Sequence, residues 1–207
     1  MDEPILKSIA DTFEGPVYVY NGDQIQKQYN RLKNAFSGVE NLQIKYACKA
    51  LSNISILGLM NSMGSGLDTV SIEEVQIGIK AGFDPKKIIF TPNGVSMEEI
   101  ERVASLGVQI NIDSLDLLEQ FGSKHPETPV CIRINPHVMA GGNTNISVGH
   151  IDSKFGISIH QIPLLLRIVE NTGMNINGIH MHTGSDILDI DVFLYAYNYF
   201  LTLLCWF

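Results

Sequence analysis

Strand-like segments recur along this chain at a near-constant spacing. Short runs rich in Ile, Val or Tyr occupy residues 43–50, 66–71, 87–93, 108–114 and 130–136, starting 21 to 23 residues apart, and a sixth spans 176–185. Each is bounded mostly by Gly, Pro, Asn or Asp and followed by a stretch with helical spacing. After the fifth, Ile162, Leu165, Leu166 and Val169 fall at i, i+3, i+4 and i+7, one apolar stripe. Such a period is that of parallel βα units joined by right-handed crossovers. Helix starts carry their own marks. Ser71 with Glu74, Ser96 with Glu99, and Ser158 with Gln161 fit the S-x-x-E/Q capping box.

Two architectures use this pattern, an open doubly wound sheet and a (β/α)8 barrel. No GxGxxG or GxxxxGK[ST] loop follows the first strand, which favours the barrel. A full barrel takes about 250 residues and eight strands. Six units in 207 residues therefore predict an incomplete TIM-type barrel, with the leading PVYVY segment outside it.

The remaining composition narrows the partners. The net charge is −8 with no cluster of Lys or Arg, which argues against nucleic acid or an anionic membrane surface. No apolar run reaches the length of a membrane span, and the first residues lack the pattern of a signal peptide. Cys48, Cys131 and Cys205 are scattered and unpaired in spacing, as expected in a reducing cytoplasm.

Barrel enzymes carry their chemistry at the C-terminal ends of the strands. There this sequence places Lys49, Asp68, Arg133, His180 and His182. Alternation puts Ala47 and Lys49 on one face of the first strand, and His180 and His182 together on one face of the sixth. An amine held in low dielectric is costly to keep charged, and the neutral form attacks aldehydes. Each residue also has a plain reading. Lys49 could reach solvent, Arg133 could pair with Asp68, and Glu74 fits a helix cap better than an active-site acid. The two His could be metal ligands, although further ligands are not evident. The aperiodic segment from His137 to about Ile157, with Lys154 in SKFG, is longer than most connections and reads as functional.

Together YACKA, GSGLDTVS, RINP, SKFG and HMHTGS, in this order, resemble the barrel part of the fold-type III pyridoxal-phosphate decarboxylases of ornithine, diaminopimelate and arginine. The similarity is strongest to the diaminopimelate branch and runs from about residue 15 to about residue 195. The resemblance implies an alanine-racemase-like barrel that binds pyridoxal 5'-phosphate, with Lys49 forming the Schiff base to the cofactor aldehyde. It implies that His182 stacks on the pyridine ring, that Ser185 bonds the phosphate, and that Asp68, Arg133 and Lys154 complete the polar shell. The implied reaction is decarboxylation of meso-2,6-diaminopimelate to L-lysine, a step of lysine biosynthesis, in a cytoplasmic homodimer. Ornithine or arginine is the alternative substrate, and a non-catalytic barrel like the pyridoxal-phosphate homeostasis proteins the alternative function. Leu51 and Thr183 depart from the family pattern, a matter for substrate specificity more than for the cofactor.

The resemblance also implies parts beyond the sixth strand: a Gly-rich phosphate loop, an acid for the pyridine nitrogen, and a β domain supplying Cys and Tyr. These are not found, so the expectation is a C-terminally truncated chain, inactive alone. Residues 1–20 would pair with the absent β domain, and residues 21–192 form the partial barrel. The apolar tail 193–207 reads as a frameshifted end, the alternative being a helix that packs on the barrel.

Overall fold

A computed structural model describes residues 3–137, 154–184 and 187–204. Seven parallel strands alternate with helices: β1 (Lys45–Ala47), β2 (Gly66–Thr69), β3 (Ile88–Phe90), β4 (Gln109–Ile112), β5 (Val130–Asn135), β6 (Ile157–Ser158) and β7 (Ile176–His180). The helices are α1 (Glu3–Thr12), α2 (Gly22–Ala35), α3 (Ile54–Ser62), α4 (Ile72–Lys80), α5 (Met97–Ser105), α6 (Leu115–Lys124), α7 (Ile162–Thr172) and α8 (Ile190–Leu204). β1 to β5 pair in sequence order. The far edge of β5 is shared: Val130–Arg133 pair with β7, and Ile134 and Asn135 with the short β6. The result is a partial barrel, open between β1 and β7 among the described residues.

All six expected strands are present but shorter than their apolar runs, because the chain turns as soon as pairing ends. β1 stops at Ala47, and Lys49 sits in a 3-10 turn (Cys48–Ala50) closed by the Leu51 N–H donating to the Cys48 carbonyl. His182 likewise lies two residues past β7 rather than within it. β6 is an addition, too short to carry a period of its own. Residues 16–20 form no strand, and Tyr18 is almost fully exposed.

Serines open α4, α5 and α6, and asparagines open α2 and α3. The hydroxyls of Ser71, Ser96 and Ser114 accept from the N–H groups of Glu74, Glu99 and Leu117, relieving orphan donors of the first turn. The carboxylates act elsewhere than the box predicts. Glu74 accepts from Val70 N–H, and Glu99 from Ile72 N–H at the start of α4, tying two helices together. Of the three expected boxes, that of Ser158 and Gln161 alone is reciprocal, and it opens a 3-10 turn (Ile159–Gln161) ahead of α7. α7 ends at Gly173 in the left-handed region.

The core lies between sheet and helices. Leu67, Ile88, Phe90, Ile110, Ile112, Val130, Ile132 and Ile134 are almost completely buried, at alternate positions along β2 to β5. α7 meets them with Ile162, Leu165 and Ile168, flanked by Leu166 and Val169. The described part of the apolar tail, residues 193–204, lies in α8, which buries Ala196 and Leu203 and leaves Phe193, Leu194, Tyr195 and Tyr197 exposed. No described helix is long and apolar enough to cross a membrane.

Candidate active site

The positions between those core residues point the other way, into the barrel. At its C-terminal end they line a cavity of about 570 Å³. Ala47 and Lys49 enter from β1 and its turn, Asp68 and Val70 from β2, and Thr91 and Asn93 from the segment after β3. Arg133 comes from β5, His180 and His182 from β7 and beyond, and Lys154 and Phe155 from the segment before β6. Five of the six site residues expected from sequence thus share one cavity. The sixth, Ser185, lies outside the described residues, as does most of the long segment after His137.

Two local devices hold the β5 side. The Asn135 carboxamide accepts from His137 N–H at 3.0 Å, turning the chain around Pro136. Gly156 has φ +80, and a Cβ there would lie 2.9 Å from Asn135 N and 3.2 Å from the Arg133 carbonyl oxygen. Only glycine allows this close approach. The approach carries Phe155 to Arg133, whose guanidinium carbon sits 4.9 Å from the ring centroid, while Lys154 Nζ lies 5.0 Å from it. Asp68 and Asp113 act on Arg133 electrostatically, holding its charge against a burial that pulls its pKa down.

Hydrogen bonds tie the polar layer across strands. Thr91 Oγ1 donates to Asp68 Oδ1 at 2.9 Å, Asn111 Nδ2 donates to Thr91 Oγ1 at 2.9 Å, and Asn93 Nδ2 donates to Asp113 Oδ2 at 2.8 Å. Burial raises the pKa of Asp68 despite Thr91 and the cations Lys49, Arg133 and Lys45. His180 is pushed down to about 4 by burial, then by Arg133 and His182. His182 is lowered by burial, then by Arg133 and Lys49. Both imidazoles are therefore predominantly neutral near pH 7. Burial pushes the Cys48 and Cys131 thiols up to about 11 and about 12, so neither supplies a thiolate nucleophile. Among the described residues no group of His, Cys, Asp and Glu is arranged to hold a metal.

The motifs do not point to Thr91, Asn93, Asn111, Asp113 or Phe155. For the first four a signal exists: TPN and NID carry polar residues at every second position as an apolar strand ends, the same mark that distinguishes Asp68 and Arg133.

Chemically, three cationic side chains, one carboxylate, two neutral imidazoles and an aromatic ring suit a ligand that is planar, anionic and reactive toward an amine. Comparison with known proteins agrees. Residues 22–204 match the model of the pyridoxal-dependent decarboxylase, pyridoxal binding domain. Diaminopimelate decarboxylase of Methanothermobacter thermautotrophicus is 37% identical over 190 residues, covering 91% of this chain and 44% of the relative. That of Helicobacter pylori is 36% identical over 191 residues, covering 89% and 47%. A crystal structure of the Helicobacter pylori enzyme complexed with L-lysine superposes with a TM-score of 0.81 at 30% identity, covering 97% of this chain and 53% of that one. The chain thus spans about half the length of the relatives it matches. With the motifs in order and the fold shared, this chain belongs to the pyridoxal-binding domain family of the pyridoxal-dependent decarboxylases.

Proposed function

We propose that the cavity holds pyridoxal 5'-phosphate and, within a full-length enzyme of the family, serves decarboxylation of meso-2,6-diaminopimelate to L-lysine. The convergence of Lys49, Asp68, Arg133, Lys154 and His182 on one cavity carries the reading. The residues present fit the cofactor. Lys49 is the amine at the cavity wall that takes the aldehyde, held in a short turn rather than on a free strand end. His182, kept neutral by burial and its cationic neighbours, offers an uncharged ring face to the pyridine. Arg133 and Lys154, braced on Phe155, give the cavity the positive charge that a phosphate or a substrate carboxylate needs. Asp68 supplies the opposing charge near Lys49. When bound, the cofactor acts as the electron sink for the pair left by the departing carboxylate.

The relatives named for diaminopimelate, and the L-lysine in the Helicobacter pylori structure, favour that substrate and product. Ser185 is assigned to the phosphate by its motif, and a homodimer is the assembly of this reading. The test is an absorbance spectrum of the purified chain with added pyridoxal phosphate beside Lys49→Ala. A violet band present in the first and lost in the second supports the reading. The absence of any Lys49-dependent band refutes it. Carbon dioxide release from diaminopimelate, ornithine and arginine then tests turnover and substrate.

A further inference from the structure

Thr91 stands one residue past the end of β3, between Asp68 on β2 and Asn111 on β4. Its single hydroxyl is bonded on both sides at 2.9 Å. The amide fixes the direction of one bond, and the ionised form of Asp68 that of the other. The Asn111 NH2 can only donate and an ionised carboxylate can only accept, so the one Thr91 proton is committed to Asp68. Thr91 and Asn111 are both buried, which keeps water from competing. The backbone is pinned as well. Thr91 N–H donates to the Thr69 carbonyl at 2.8 Å, and Thr69 Oγ1 donates to the Ile89 carbonyl at 2.8 Å.

We propose that Thr91, backed by Asn111, is a positioning residue that keeps Asp68 ionised and fixed beside Lys49, and so sets the lower pH limit of the site. The proposal rests on the cofactor reading of Lys49 for its functional half. Other charged or titratable groups act on Asp68 or respond to it: Lys45 on β1, Cys48 and Lys49 in the following turn, and Arg133 on β5. Cys48 stays a neutral thiol, and Lys45 is engaged with the Lys87 carbonyl and Gln43. Burial drives Asp68 toward its protonated form, and the Thr91 hydrogen bond is the largest counterweight, ahead of Lys49, Arg133 and Lys45.

The test follows the Asp68 carboxyl carbon by 13C NMR against pH without cofactor, in the wild type, Thr91→Val and Thr91→Ser, with Asp68→Asn to assign the resonance. Thr91→Val keeps the shape and removes the donor. Its Asp68 midpoint moves upward, and Thr91→Ser returns it. Asn111→Ala leaves the hydroxyl free to rotate and gives a smaller upward shift, which serves if Thr91→Val does not fold. In parallel, the acid-side loss of pyridoxal-phosphate affinity moves up in pH with the midpoint. Superimposable Asp68 titrations, or a shift that serine fails to reverse, overturn the proposal. A wild type without a Lys49-dependent band defeats the cofactor reading instead, and the Asp68 titration then decides the role of Thr91 alone.

Discussion

Protonation of His180 perturbs the site without any mutation. The residue ends β7, paired in register with Arg133 across the sheet, and its Nδ1 is buried with no hydrogen-bond partner among the described residues. Burial, then Arg133, then His182 push its pKa from the ordinary 6.5 down to about 4. Between those values the unfolded chain binds a proton that the folded chain refuses. Stability is therefore fully present above pH 6.5 and declines as pH falls toward 4, levelling below it. A gap of about 2.5 units corresponds to roughly 3 kcal/mol in full, of which about 2 kcal/mol is lost by pH 5. Against a total of about 5–15 kcal/mol for a domain, that is measurable.

The assay is urea unfolding at pH 7, 6 and 5 for the wild type and His180→Gln, whose side chain does not titrate. The wild type should lose about 2 kcal/mol more than the variant between pH 7 and 5. Asp68 works in the opposite sense. Its pKa is raised, so the stability it contributes is present at low pH and lost as pH rises through the folded value. Asp68 is common to both proteins and drops out of the difference. Equal losses in the two proteins would refute the reasoning, as would a His180 proton NMR midpoint near 6.5.

Other substitutions test the frame around the site. Gly156→Ala places a Cβ against the Asn135 and Arg133 backbone at a left-handed φ. Strain alone is about 1–2 kcal/mol, so a lowered melting temperature should come with weaker pyridoxal-phosphate affinity as Phe155 leaves Arg133. Phe90→Ala empties a fully buried position under the helices; urea unfolding should show a loss of about 3–5 kcal/mol. Ser114→Ala removes the acceptor for Leu117 N–H at the start of α6, a loss of about 1 kcal/mol by the same assay.

The strand period, the capping serines and most of the site were legible because each depends on neighbours close in sequence. Their motifs put Lys49 and His182 at the C-terminal end of their strands, but the exact last paired residue is set by β2 and β5, far along the chain. The glutamates show the same limit. Ser-x-x-Glu is local, yet Glu99 spends its carboxylate on Ile72, 27 residues away. Ser114 carries no box signal because Leu117 occupies the position where the box expects Glu or Gln, although capping needs only the Leu117 N–H. Thr91 reads as an ordinary turn residue until the register sets it between Asp68 and Asn111.

The same alternation that builds the core also builds the site. Along β5, Ile132 and Ile134 go under the helices while Arg133, between them, faces the cavity. Along β2, Leu67 goes one way and Asp68 the other. A one-residue slip of either strand would bury a charge among helices and turn an isoleucine or leucine into the cavity, losing core and chemistry at once. The apolar residues thus enforce the register that aligns Asp68, Thr91 and Asn111 across three strands. A polar ladder of this kind requires a rigid sheet beneath it, and the almost solvent-free layer of Leu67, Ile88, Phe90, Ile110 and Ile112 supplies that rigidity.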